Sequence, residues 1–205
     1  LEVTRLESIR WIVNAPERGR RGTASVKEFA PSVLEGVRAF HATMPGYVPT
    51  PLAALPALAA RLGLGSLHVK DESRRFGLKA FKVLGGSYAI ARYLAGRLGR
   101  DLGDLPFPVL TGDEVKEALG EVTFATTTDG NHGRGVAWTA RMLRQRAVVF
   151  MPQGSAPFRL EAIRAEGARA EILSLNYDDA VRYTDRMARE HGWVVVQDTA
   201  WEGYR

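Results

Sequence analysis

Residues 123–151 read TFATTTDGNHGRGVAWTARMLRQRAVVFM, and this stretch decides the fold of the chain. It begins with a short β-rich run at 123–127, continues with a helical pattern at 131–145 and ends with a second β-rich run at 147–151. Two more β-rich runs follow at 170–173 and 193–196, separated by helical patterns at 156–166 and 178–191. Strands that alternate with helices form parallel sheets through right-handed crossovers, so the sequence predicts an α/β fold with three layers.

The N-terminal half of the sequence predicts a less regular arrangement. Apolar residues recur at three- and four-residue steps over residues 25–44, which predicts an amphipathic helix that Pro45-Gly46 ends. Further helices are expected at 55–62, 79–98 and 114–119, and a short strand at 66–70. Residues 101–112 contain Pro106, Pro108 and Gly112, and we expect them to be irregular.

The composition excludes several classes of protein. The 205 residues are 45% hydrophobic and 25% charged, and none is cysteine. Without cysteine there is neither a disulfide framework nor a thiolate zinc site, and we expect no metal. No apolar run approaches the roughly 20 residues of a membrane-spanning helix, and residues 1–10 do not resemble a secretory signal. We therefore expect a cytoplasmic protein that does not contact membranes.

The basic character of the chain does not predict nucleic-acid binding. The net charge is +5, but the arginines are spread along the chain and often follow acidic residues at helical spacing, as in Asp178/Arg182 and Asp185/Arg189. The one dense run, Arg18-Gly-Arg20-Arg21, has no aromatic residue beside it on which a base could stack. We expect a small-molecule ligand instead.

The first chemistry-bearing segment places Lys82 in the first turns of the helix predicted at 79–98. Its sequence neighbours Phe76, Leu78 and Phe81 are apolar, and both desolvation and a helix N-terminus disfavour the ammonium form. Such an amine is a candidate nucleophile for a Schiff base. An isolated lysine at such a position is more often a solvated helix residue, and that alternative applies to Lys79 as well.

The second segment is the loop that follows the first β-rich run, with Asp129-Gly130-Asn131-His132 at the start of a helix. Its glycines let a ligand approach the backbone, free N–H groups at the helix start suit an anion, and the Asn131 amide offers a donor and an acceptor. Glycine-rich turns are also common as plain helix entries. His132 is equally well explained as a packed or capping residue.

In this order and spacing, the two segments resemble the fold-type II enzymes that depend on pyridoxal phosphate (PLP). Four motifs carry the resemblance, beginning at Tyr47 (YVPTPL), Lys70 (KDESRRFGLKAFKVLGGSY), Thr127 (TTDGNHGRGVAW) and Gln197 (QDTAWEGY). Within this family the chain is similar in particular to the diaminopropionate ammonia-lyases, over residues 47–205. The resemblance implies α,β-elimination of an amino acid, 2,3-diaminopropionate, to pyruvate and ammonia.

The resemblance also implies roles for individual residues. Lys82 would form the Schiff base with PLP, Asn131 would bind the phenolic oxygen of the cofactor, and Gly130 and His132 would lie beside it. Asp129 and Asp198 would join Lys82 as catalytic residues. The implied architecture is a small three-layer domain at 84–192 inserted in a larger α/β domain, which is represented by 1–83 and 193–205, with a homodimer as the assembly.

Asp129 distinguishes this loop from the serine and threonine dehydratases, which resemble each other in having serine there. A carboxylate near Cα is a second base, able to take a proton from the face opposite Lys82, and Asp198 could hold the ammonium leaving group. Judged from the residues alone, Asp129 is a helix N-cap and Asp198 belongs to a turn after a strand. A dehydratase-like lyase therefore remains an alternative within the family.

The chain is about half as long as fold-type II enzymes of this kind. We find no loop of several successive glycines that would bind the phosphate of PLP; Gly85-Gly86 lies within a predicted helix and would allow close helix packing. The sequence is therefore expected to be a fragment or a shortened relative. A non-catalytic remnant that binds a partner or an amino acid is the alternative from another class.

Overall fold

The computed structural model of the protein describes residues 30–199. Its N-terminal part contains helices and a two-stranded sheet, and its C-terminal part contains a four-stranded parallel sheet with helices. The helices are α1 (Pro31–Ala42), α2 (Pro56–Arg61), α3 (Lys82–Leu98), α4 (Phe107–Leu110), α5 (Asp113–Leu119), α6 (Asn131–Met142), α7 (Pro157–Arg164) and α8 (Tyr177–His191). The strands are β1 (Leu52–Ala54), β2 (His68–Lys70), β3 (Thr123–Thr127), β4 (Arg146–Met151), β5 (Arg169–Ile172) and β6 (Val194–Val195).

Four strands form a parallel sheet in the order β5-β4-β3-β6. The central strands β3 and β4 pair from Thr123 opposite Arg146 to Thr127 opposite Phe150, and nearly all of their residues are buried. Strands buried on both faces are near-continuous apolar runs, and β4 shows such a run in its sequence. The α/β fold with a parallel sheet is thus confirmed, and the bounds of β3 are those predicted.

Helices α3 and α6 pack against each other next to this sheet, and their facing residues form much of the apolar core. The fully buried side chains in this layer include Ile90 and Leu94 of α3, Val136 of α6, and Phe124 of β3. Burying one such side chain stabilises the fold by about 1.5–3 kcal/mol. The packing of α3 against α6 therefore fixes how the two helices are placed relative to each other in space.

A second, smaller sheet lies N-terminal to α3. Strands β1 and β2 pair antiparallel, with Leu52 opposite Lys70. Behind β2, the buried guanidinium of Arg75 donates to Glu72 at 2.8 Å and to the carbonyl oxygen of Val48 at 2.9 Å. These bonds join the segment that precedes β1 to the segment that leads into α3.

Helix α3 begins at Lys82, three residues later than predicted. Phe76, Gly77 and Lys79 adopt left-handed backbone conformations, with φ values of 48°, 73° and 59°. A right-handed helix cannot pass through such residues, so the chain makes a tight turn at Arg75–Gly77 and enters α3 only afterwards. Lys82 is consequently the first residue of its helix.

Other predictions need smaller corrections. Residues 101–112 are not wholly irregular, because a 3₁₀ turn at Leu102–Asp104 and the short helix α4 lie within them. On α8, Arg182 pairs with Asp179 at 2.8 Å and not with Asp178, since residues three apart also share a helix face. The predicted pair of Asp185 and Arg189 is present at 2.9 Å.

Several predictions concern residues that the structure does not describe. The first residues of the helix predicted at 25–44, the arginine run at 18–21 and the end of the C-terminal motif at 200–204 lie outside the described residues. The division into domains at 83/84 and 192/193 stays a prediction; β6, just after the second boundary, pairs with β3 in the parallel sheet. Within residues 30–199, no helix is long and apolar enough to cross a membrane.

Candidate active site

The candidate site lies at the carboxyl edge of the parallel sheet. The loop with Asp129, Gly130 and Asn131 follows β3, and Asp198 follows β6, the neighbour of β3 in the sheet. Because the two strands are parallel, the segments that leave their carboxyl ends start at the same edge.

Gln197 fixes the end of β6 to the end of β3. Its side-chain oxygen accepts from the backbone N–H of Thr127 and the hydroxyl of Thr126, both at 3.0 Å, and its amide nitrogen donates to the carbonyl oxygen of Thr127 at 2.9 Å. These bonds join the chain just after β6 to the end of β3. They therefore hold the next residue, Asp198, beside the end of β3. Sequence reasoning missed this role of Gln197, although the residue begins one of the four motifs.

Lys82 and Asp198 form the central pair of the site. Nζ of Lys82 lies 2.6 Å from Oδ2 of Asp198, and the two side chains are 38% and 26% exposed. Both side chains line a cavity of about 360 Å³, whose wall also includes His132, Gly85 and Gly86. Of the aromatic neighbours in sequence, Phe81 lies with its ring centroid 6.0 Å from Nζ of Lys82, whereas Phe76 stacks on Trp138. The amine is therefore held by a carboxylate and has one of the expected apolar neighbours beside it.

The charge state of Asp198 follows from its surroundings. Partial burial by itself raises the pKa of the carboxyl, but the hydrogen bond from Lys82 and the proximity of His132 outweigh it. The pKa of Asp198 consequently lies below its usual value. At neutral pH the residue is a carboxylate that accepts a hydrogen bond from Lys82.

His132 is a packed residue that also forms part of the cavity wall. It is buried, and its Nε2 donates to the carbonyl oxygen of Val196 at 2.9 Å, because a carbonyl can only accept. Burial lowers the pKa of His132, although the bond to Val196 and the charge of Asp198 oppose the shift. The imidazole is therefore neutral at pH 7 and holds the backbone just before Asp198.

Asp129 does not cap helix α6. The N-cap residue is Gly130, and no side chain accepts from the first turn of the helix. The Asp129 side chain is 77% exposed, its Oδ2 lies 3.5 Å from Arg159, and Arg159 donates to its backbone oxygen at 3.0 Å. The structure thus brings Lys82, His132 and Asp198 together around the cavity, whereas the Asp129 carboxylate is not part of the cavity wall.

Asn131 is the first residue of α6 and is exposed. Its side chain makes no hydrogen bond within the described part of the chain, so its amide is available to a ligand. The threonines before it are engaged: the Thr127 hydroxyl is 2.6 Å from that of Thr184, and the Thr128 hydroxyl accepts from Gly130 N–H at 3.0 Å. These threonine hydroxyls therefore stabilise the loop.

The residues of the cavity fit PLP better than a metal ion. Among residues 30–199, no group of three His, Asp or Glu side chains lies close enough to bind a metal. The cavity instead offers a primary amine beside two glycines of α3, and nothing lies within 4 Å of the place where a Cβ on Gly85 would be. A flat ring can therefore approach the backbone of α3 beside Lys82.

The fold combines a parallel α/β sheet, a lysine at the start of α3 and a glycine-rich loop after β3. This combination is typical of enzymes that bind their cofactor through an amine. The chain belongs to the pyridoxal-phosphate dependent enzyme family, which it matches over residues 43–205. The cofactor of this family is PLP, and the fold-type II resemblance found in the sequence is confirmed.

Within the family, the chain is similar to diaminopropionate ammonia-lyases. It is 52% identical to that enzyme of Salmonella typhimurium over 203 residues, which are 97% of this chain and 49% of the relative. The crystal structure of the apo Escherichia coli enzyme matches 87% of this chain and 48% of its own, with a TM-score of 0.80 and 52% identity. The crystal structure of the Escherichia coli enzyme in complex with an aminoacrylate-PLP azomethine reaction intermediate matches 87% of this chain and 44% of its own. The TM-score of this match is 0.78 and the sequence identity is 51%. The chain spans about half the length of the curated relatives it matches.

Proposed function

We propose that the whole protein catalyses the PLP-dependent α,β-elimination of 2,3-diaminopropionate. With one water, the reaction releases pyruvate and two molecules of ammonia. The observation that carries the proposal is the pair formed by Lys82 and Asp198 at 2.6 Å, a nucleophilic amine and a carboxylate at the mouth of one cavity. The choice of diaminopropionate as the substrate rests on the similarity to diaminopropionate ammonia-lyases.

Four residues would hold the cofactor. Lys82 would bind it covalently through Nζ, and the free amide of Asn131 would bind its phenolic oxygen. Gly130 and His132 would contact it, the first through a backbone without a side chain and the second from the cavity wall. When bound, PLP supplies an electron sink for the negative charge that develops at Cα of the substrate.

The chain's own residues then move protons. Lys82 or Asp129 removes the proton from Cα, from opposite faces of the substrate, and Asp198 holds the β-ammonium group and assists its departure as ammonia. The Lys82–Asp198 hydrogen bond gives these two groups a direct path for a proton. The unsaturated amine that leaves hydrolyses to pyruvate and the second ammonia.

Asp129 supports this function over that of a serine or threonine dehydratase. Its carboxylate replaces the hydroxyl typical of those enzymes, and because it does not cap α6, the helix does not require it. An exposed carboxylate that the fold does not need for capping is available to a cationic substrate. The proposal for Asp129 requires its side chain to reach the substrate from outside the cavity wall.

The test is the release of pyruvate and ammonia by the whole protein supplied with PLP. We expect 2,3-diaminopropionate to be consumed with a kcat/KM far above that for serine or threonine, and two ammonia molecules to appear for each pyruvate. A preference for serine would favour the dehydratase alternative. Binding of the amino acid without any product would favour the non-catalytic alternative.

We further propose that the whole protein is a cytoplasmic homodimer that takes part in amino-acid catabolism. Support comes from the absence of cysteine and from exposed apolar side chains such as Leu52 and Leu62, at 64% and 58% exposure, which a further protein surface would cover. Light scattering coupled to size exclusion measures the assembly. A mass of one chain would contradict the dimer.

A further inference from the structure

Helix α6 touches the backbone of α3 at the residue after Lys82. A Cβ atom on Gly135 would lie 2.9 Å from both N and Cα of Val83 and 3.3 Å from the carbonyl carbon of Lys82. Cβ atoms do not come within 3.0 Å of other heavy atoms in proteins, and backbone atoms cannot rotate away as the end of a side chain can. Any residue other than glycine at 135 must therefore move one helix relative to the other.

The same turn of α6 also contacts the chain on either side of this point. Arg134 donates to the carbonyl oxygen of Leu78 at 3.4 Å, before α3 begins, and Val136 lies 3.7 Å from the position of a Cβ on Gly86, one turn into α3. The Arg134 guanidinium is itself held by the buried Glu166, at 3.0 and 3.1 Å. Three successive residues of α6 thus bracket the first turn of α3.

One turn earlier on α6, His132 holds the other half of the catalytic pair. Its bond to the Val196 carbonyl fixes the backbone two residues before Asp198. Helix α6 is therefore the common support of both partners: it contacts α3 next to Lys82 through Gly135, and through His132 it binds Val196, between β6 and Asp198. The spacing between these contacts determines whether Nζ and Oδ2 lie within hydrogen-bond distance.

We propose that Gly135 is a positioning residue that sets the place of Lys82 relative to Asp198, an inference that rests on the proposed function of this pair. A side chain at 135 displaces the first turn of α3 and separates the amine from the carboxylate. A displacement of about 1 Å is enough to break a 2.6 Å hydrogen bond, and misplacements of that size lower rates by about a hundredfold.

The first experiment compares Gly135→Ala with Gly96→Ala in the whole protein. Gly96 also lies in a helix, but nothing is within 4 Å of the place of its Cβ, so this variant measures alanine substitution alone. We expect Gly135→Ala to lower kcat about a hundredfold and to change the visible absorbance of bound PLP, while Gly96→Ala matches the wild type. A Gly135→Ala variant with wild-type kcat and absorbance would overturn the proposal.

A stability control separates positioning from damage to the fold. Ile163→Ala opens a cavity under α7, where Ile163 is fully buried, and lowers the melting temperature without adding an atom near Lys82. All assays run at a temperature where circular dichroism shows each variant folded. If Ile163→Ala loses as much kcat as Gly135→Ala, the effect is one of general stability and the proposal is wrong.

The last measurement does not depend on PLP or on turnover. Trace acylation of amines in cofactor-free protein, read by mass spectrometry, gives the reactivity of Lys82 relative to the exposed Lys79 in the same peptide region. We expect Gly135→Ala to change this ratio about three- to fivefold, the size expected when a part-exposed ion pair is lost. An unchanged ratio overturns the positioning role. Failure of the proposed function would show instead as wild-type protein that forms no product from diaminopropionate.

Discussion

The proposed reactive amine, that of Lys82, belongs to the first residue of α3. Two lysines, Lys79 and Lys82, lie within one turn's length of sequence, and only Lys82 is paired with Asp198 and borders the cavity. Lys79 belongs to the left-handed turn before the helix. The register of the motif therefore determines which lysine carries the cofactor.

We predict that Lys82→Ala abolishes the visible absorbance of lysine-bound PLP and that Lys79→Asn keeps it. Asparagine suits the control because it tolerates the positive φ of residue 79 better than alanine. The measurement is the absorbance spectrum, followed by borohydride reduction and mapping of the modified lysine by mass spectrometry. A label on Lys79 would show that the motif has been assigned in the wrong register.

A second prediction concerns Asp129 as a base. Asp129→Asn removes the charge and keeps the size, and because α6 is not capped by this side chain, we expect the melting temperature to be nearly unchanged. Loss of a general base slows a reaction by about two to four orders of magnitude. Only the reaction of the enantiomer whose Cα proton faces Asp129 should be slowed in this way.

The quantity to measure for Asp129→Asn is the ratio of kcat/KM for the two enantiomers of diaminopropionate. Lys82 should continue to serve the other enantiomer, so the ratio should shift sharply. Arg159→Gln, which removes the charge that neighbours Asp129, is the matched control for the local electrostatic change. Equal losses for both enantiomers, or none, would remove Asp129 from the role of a face-specific base.

At the scale of elements, α1 is joined to α3 by a buried histidine. Nε2 of His41 donates to the carbonyl oxygen of Leu84 at 2.9 Å, two residues after Lys82, and Tyr47 and Tyr88 flank the ring. Burial lowers the pKa of His41 below 6.5, and the charge of Arg75 acts in the same direction, although the bond to Leu84 opposes them. The folded protein therefore keeps this imidazole neutral.

The lowered pKa of His41 predicts loss of stability in mild acid. As the pH falls below about 6.5, the unfolded chain binds a proton that the folded protein does not, so the unfolding free energy declines by up to about 1.4 kcal/mol per pH unit for this group. The buried His132 contributes with the same sign. Well above pH 6.5 both imidazoles are neutral in both states and the dependence vanishes.

The test uses His41→Gln, since glutamine can still donate to Leu84 but does not titrate. We expect the difference in unfolding free energy between pH 7.5 and 5.5, measured by urea titration, to be smaller in the variant than in the wild type. Ionised carboxylates change little in this range, which keeps the comparison specific to histidine. An identical pH dependence would show that His41 is not the titrating group.

For the whole molecule, the proposed cofactor-binding residues are concentrated in two segments of the described chain. The residues that would hold PLP lie at the start of α3 and in the β3–α6 loop, and the sequence contains no loop of several successive glycines for a phosphate. Charge-assisted hydrogen bonds to a phosphate are among the strongest contacts a cofactor makes. We therefore expect the 205 residues to offer the amine without strong phosphate contacts.

We predict that a polypeptide of these 205 residues binds PLP weakly, while the whole protein binds it tightly. Lys82 should still react with PLP at high concentration, because the amine is accessible at 38% exposure. Absorbance titration gives both dissociation constants, and Lys82→Ala in the short chain is the control for reaction at other lysines. Tight, saturable binding by the short chain would mean that its own residues bind the phosphate.

The local sequence determined much of this protein. The alternation of apolar runs and helical patterns from Thr123 onward specified the α/β class, and the bounds of β3 follow from its β-rich run, which the polar loop at Asp129 follows. Lys82 and the Asp129–Asn131 loop were recognised in the sequence because their motifs are continuous. Each of these inferences depends on residues within a few positions of one another.

Only the tertiary structure determined how the site is assembled. Lys82 and Asp198 are 116 residues apart, and their contact depends on the order of strands in the sheet, the side chain of Gln197 and the crossing of α6 over α3 at Gly135. The late start of α3 was missed because left-handed residues such as Lys79 have no sequence signature outside glycine and asparagine. Distances across the fold are set by packing and strand register, which local periodicity does not encode.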